Sequence, residues 1–70
     1  MENTIRVERA KKRITQAELA EKVHVSRQTI HAIETGKFVP STVLALKIAT
    51  FFNIKLEELF KLDDNDFNKK

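Results

Sequence analysis

Arg27 and Gln28 stand side by side just after a serine, and these two residues are the best equipped in the chain for recognition chemistry. A guanidinium pairs bidentately with the O6/N7 edge of guanine, and a glutamine amide with the N6/N7 edge of adenine. That chemistry needs both side chains to project from a stiff element that fits a major groove. The flanking residues supply one. The Ser26 side chain can cap a helix by accepting from the Thr29 N–H. Ile30 and Ile33 then turn inward, and Arg27, Gln28 and His31 stay outside. A short helix pinned by its inner face, with Arg and Gln near its exposed N-terminus, suits major-groove entry.

The element before it predicts how that helix is held. Thr15 and Glu18 form a capping-box pattern, in which hydroxyl and carboxylate each accept from the other residue's N–H. Ala17, Leu19, Ala20 and Val23 follow at helical spacing, so one face is apolar. The helix ends near Val23, and His24 and Val25 make a tight corner into the Ser26 cap. Residues 15–34 therefore read as two short helices joined by a turn.

Other chemistries find little support. There is no cysteine, hence no disulfide framework and no zinc-finger ligand set. His24 and His31 are separated by the corner and have no carboxylate or thiol to complete a metal site. No catalytic triad pattern and no phosphate-cradling glycine loop is present, and the carboxylates cluster only towards the C-terminus. Neither a cofactor nor an enzymatic activity is expected.

Length and charge fit the recognition reading. Seventy residues make one domain with a modest core, which a second copy can complete. The formal charge of +3 is unevenly spread. Residues 5–37 hold Arg6, Arg9, Lys11, Lys12, Arg13, Lys22, Arg27 and Lys37 against Glu8, Glu18, Glu21 and Glu34. Beyond residue 37, lysines and acids balance. The basic excess therefore lies in the half with the groove-reading candidate, as a phosphate-facing surface requires. No signal peptide or apolar run near ~20 residues appears, so a cytoplasmic location without membrane contact is expected.

The remaining elements follow in order. Asn3 or Thr4 can cap a first helix over roughly residues 4–12, with Ile5 and Arg9 on one side. Lys11, Lys12 and Arg13 close it where the helix dipole favours positive charge, which accounts for this cluster better than contact with DNA backbone. Ile14 can staple to Leu19. Gly36, the only glycine, suits a left-handed C-cap. Lys37 can reach a phosphate, and Phe38 is expected to plug the core beneath the loop. Pro40-Ser41 announces a helix over about residues 42–52, apolar nearly all round except at Lys47. A connector at residues 53–55 leads to a last helix near residues 56–60, with Glu57 and Glu58 in its first turn. Residues 1–62 form the folded domain, and residues 63–70 a flexible or partner-docking tail.

This pattern resembles the Xre family, the helix-turn-helix domains of phage repressors and Cro proteins. The resemblance runs over residues 5–60 and rests on Arg9, Ile14-Thr15-Gln16, Glu18-Leu19-Ala20, Val25-Ser26, Thr29-Ile30, Ile33-Glu34, Gly36-Lys37, Pro40-Ser41, Ala45 to Ala49, and Leu56 to Phe60. It implies an all-α fold, a five-helix bundle of the lambda-repressor-like type. It further implies that Gln16 bonds a phosphate and braces the recognition helix, that Arg27 and Gln28 touch base edges with His31 and Ala32 on the same side, and that Thr29 faces the backbone. Ser26 and Lys37 complete the DNA-facing set. Arg9 and Glu34 match a structural pair that joins the first helix to the end of the recognition helix. Departures fall at His24, where glycine is usual, at Lys55, where a Ser or Thr cap is usual, and at Glu8, often apolar; Ala32 is small where some relatives read a base.

The expected function is sequence-specific binding of double-stranded DNA by a homodimeric regulator, a repressor rather than an activator, on a near-palindromic operator. Phe51, Phe52, Ile54, Leu59, Phe60 and Leu62 are the expected dimer contacts. The competing reading is an antitoxin or other interaction module, whose apolar fourth helix meets a different protein. A second protein is also a possible effector, and a scaffold that has lost DNA affinity is a third reading.

Overall fold

The computed structural model describes residues 1–67. A two-residue strand β1 (Glu2–Asn3) opens the chain, followed by helices α1 (Ile5–Lys12), α2 (Gln16–Val23), α3 (Arg27–Glu34), α4 (Thr42–Phe52) and α5 (Leu56–Leu59). Strand β2 (Phe60–Lys61) and a single helical turn, α6 (Asp64–Phe67), complete it. The fold is mostly helical, as expected. The small antiparallel pairing, Glu2 with Lys61 and Asn3 with Phe60, is an addition.

Local chemistry sets the helix boundaries. The Thr15 side chain accepts from Glu18 N–H at 3.0 Å and Thr15 N–H donates back to the Glu18 carboxylate at 2.8 Å. Ser26 and Ser41 cap α3 and α4 in the same way, accepting from Thr29 and Leu44 N–H at 3.1 Å each. Lys55 offers no side-chain acceptor, so α5 keeps half a box: Glu58 accepts from Lys55 N–H at 3.1 Å. Three helices end on non-glycine residues in the left-handed region, Arg13 (φ 57°), His24 (φ 63°) and Asn53 (φ 58°). Gly36 (φ 79°) follows α3, where its N–H donates to Ile33 O at 3.0 Å and Lys37 N–H donates to Ala32 O at 2.9 Å. A Cβ at Gly36 would meet nothing, so conformation rather than space asks for glycine there.

The core lies between the helices and is apolar. Ile5 enters from α1, Leu19, Ala20 and Val23 from α2, and Ile30 and Ile33 from α3. From α4 come Ala45, Ile48, Ala49 and Phe52, the 3-4 stripe of one helix face. Fully burying each large aliphatic side chain contributes roughly 1.5–3 kcal/mol.

Several expectations need correction. Phe52, Leu59 and Phe60 are buried in the chain's own core, Leu59 completely, and leave little surface for a second subunit. Phe60 leaves the last helix for β2, which pairs with β1 and brings its ring inward. Phe38 is 49% exposed, while Pro40 takes the buried position under that loop. The chain past residue 62 carries a capped turn: Asp63 and Asp66 carboxylates each accept from the other residue's N–H, at 3.2 and 2.8 Å, and both pair with the Met1 amine at 3.2 Å. Residues 68–70 of the expected tail lie outside the described residues.

Candidate nucleic-acid interface

Arg27, His31 and Glu34 recur at i, i+4 and i+7, which places them on one edge of α3. That edge meets the first residue of α2, Gln16. The Gln16 amide nitrogen donates to Glu34 Oε1 at 3.0 Å and lies 3.2 Å from His31 Nδ1. The Gln16 carbonyl accepts from Arg27 Nη1 at 3.4 Å. One amide thus touches three residues of the neighbouring helix.

The orientation of that amide follows from its neighbours. Turned over, it would set its oxygen against the Glu34 carboxylate and its NH2 against the Arg27 guanidinium. The nitrogen therefore faces Glu34, with His31 Nδ1 beside it.

Glu34 anchors the cluster from below. Its side chain is 1% exposed, and Arg9 grips both of its oxygens, Nε to Oε2 at 2.6 Å and Nη2 to Oε1 at 3.2 Å. Arg9 Nη1 also donates to Ile14 O at 2.9 Å, just ahead of α2. Arg6 adds a looser charge at 3.9 Å. Burial pushes the Glu34 carboxyl up, but hydrogen bonds from Arg9 and Gln16 and the charges of Arg9 and Arg6 outweigh it and hold the group below its ordinary 4.5. A planar fork on a buried carboxylate fixes direction as well as charge. It ties α1 to the end of α3, while Gln16 ties α2 along its length.

The predicted recognition residues divide accordingly. Arg27 and Gln28 are exposed at the leading end of α3. Gln28 and Ala32, one turn apart, run beside the Gln16-facing edge; Ala32 is half-buried. The Ser26 oxygen caps α3 and lies 3.0 Å from the Thr29 hydroxyl, so these two side chains are partly occupied with each other. Lys37 is exposed but follows the other end of the helix, and the fold does not bring it to the Arg27–Gln28 end. Sequence reasoning offered Asn3 as a cap for α1 and missed its link to α3. Its amide donates to Ile33 O at 2.9 Å and its carbonyl accepts from Ile5 N–H at 3.1 Å, linking the end of α3 to the start of α1. Only its place before a helix start hinted at this.

Comparison with known proteins gives this geometry a family. The helix-turn-helix family pattern matches residues 5–59, and the chain belongs to that family, in its Xre type. It is a DNA-binding transcriptional regulator of the helix-turn-helix class. It is 50% identical over 66 residues to the uncharacterized HTH-type transcriptional regulator MJ0272 of Methanocaldococcus jannaschii, covering 94% of this chain and 100% of that one. It is 44% identical over 66 residues to the uncharacterized HTH-type transcriptional regulator YgzD of Bacillus subtilis, covering 94% and 100%. Among solved structures it resembles the restriction-modification controller protein C.AhdI from Aeromonas hydrophila, with a TM-score of 0.72, 34% identity, and coverage of 80% of this chain and 81% of that one.

Proposed function

We propose that the chain is a sequence-specific repressor that binds double-stranded DNA as a homodimer, with α3 in the major groove of each half of a near-palindromic operator. The observation that carries this reading is the Gln16 cluster, which braces α3 from one side and leaves Arg27 and Gln28 at its open end. Arg27 and Gln28 touch base edges, with His31 and Ala32 along the same side. Gln16, Ser26, Thr29 and Lys37 face phosphates. Two α3 helices on one face of a duplex stand about 34 Å apart.

The dimer contact falls to surfaces the core leaves free. Ile54 is half-buried and Leu62 is exposed, and Val39 and Leu56 line a shallow apolar hollow above Phe60. Selection of bound sites from random duplex DNA tests the reading. Two inverted half-sites about 10 base pairs apart support it, and recovery of unrelated sequences overturns it.

A further inference from the structure

A second feature lies outside the residues assigned to DNA. The end of α2 and the outer face of α4 border an open groove of about 550 Å³. Val43, 65% exposed, and Leu46, 47% exposed, line it with the half-buried Phe51. Lys22 and Lys47 rim it, and Lys12 adds a third ammonium 5.7 Å from the Phe51 ring centre. No carboxylate lines this groove among the described residues.

We propose that this groove docks an acidic amphipathic segment of a second protein, its apolar side chains on Val43, Leu46 and Phe51 and its carboxylates on the three lysines. Charge decides between occupants. In a two-fold interface the groove meets a second copy of itself, which brings two sets of lysines together around an apolar centre and offers them no carboxylate. Like charges so placed disfavour a second copy, and the same lysines attract an acidic partner. A small ligand is a poor fit, because sites for such molecules enclose most of the ligand and this groove is open. An apolar face rimmed by charge on a small domain is the ordinary signature of a protein contact. Nothing in this inference depends on which DNA sequence α3 reads.

The test uses the full chain and three synthetic helical peptides. One carries Leu and Phe at helical spacing on one face and Glu elsewhere; the second has the same composition scrambled so that no apolar face forms; the third has every Glu replaced by Lys. The first peptide is expected to bind, with amide shifts confined to Val43, Leu46, Phe51 and their neighbours. Lys22→Glu with Lys47→Glu should weaken it by about tenfold or more, and raised salt should weaken it too. Leu46→Ser should abolish binding while leaving duplex DNA affinity unchanged. Equal binding of the scrambled or lysine peptide, shifts elsewhere, or no binding would overturn the proposal. So would a wild-type dimer that Leu46→Ser converts to monomer, because the groove would then belong to a second copy.

Discussion

Single side chains decide how rigidly α3 is presented. Glu34 is held by two oxygens in a nearly closed site, and Arg9 supplies most of its compensation. Arg9→Ala strands that carboxylate and is expected to cost about 3 kcal/mol or more, read from urea unfolding. The pH dependence has a definite sign. The folded Glu34 carboxyl titrates below its ordinary 4.5, so the unfolded chain binds more protons in that window. Its contribution is complete well above the ordinary 4.5 and fades as pH falls through the folded value. Other carboxylates share the acid edge, so the useful quantity is a difference: Glu34→Gln should be less stable at neutral pH and lose less on acidification than the wild type. Equal slopes would show that the fork does not favour the ionised carboxylate.

At the scale of elements, the helix ends carry both stability and strain. His24 takes the left-handed conformation at the end of α2 with no glycine to relieve it. Left-handed backbone costs an ordinary residue about 1–2 kcal/mol. His24→Gly should therefore stabilise the fold by roughly 1 kcal/mol, measured as a rise in the urea midpoint, after the greater unfolded-state freedom of glycine is deducted. Ser41→Ala should lower stability by about 1 kcal/mol through the lost α4 cap. These elements were legible in the sequence because their signals are local: Thr15 and Glu18 sit three residues apart, and Ser26, Ser41 and Gly36 mark boundaries by their own chemistry. Elements fixed by distant partners were not. Two residues at each end of the chain cannot display an alternating strand pattern, so the Glu2–Lys61 pairing was invisible. An apolar α4 did not reveal which face the bundle would cover, and the short α5–β2 segment shows no periodicity of its own, so Phe52, Leu59 and Phe60 read as partner contacts although they complete the core. Within the candidate site, the Arg9–Glu34 fork was legible by resemblance. The convergence of Gln16 on Arg27, His31 and Glu34 arises only when two helices meet.

At the scale of the whole molecule, charge and symmetry set what can be measured. The basic excess lies in residues 5–37, the stretch that holds α1, α2 and α3, so duplex affinity should fall as salt rises, with a slope of about −0.9 per phosphate contact. Loss of Gln16 should weaken all duplexes alike, since it acts on backbone and on helix placement. On the proposed homodimer, Leu62→Asp should shift the chain towards monomer in sedimentation without unfolding it, because Leu62 lies outside the core. The most direct measurement of base reading by α3 is a comparison of binding-site profiles from random duplex DNA for the wild type and Gln28→Ala. The expected result is loss of preference at one base position in each half-site, about 1–3 kcal/mol of discrimination, with the other positions retained. A Gln28→Ala profile identical to the wild type at every position would contradict it.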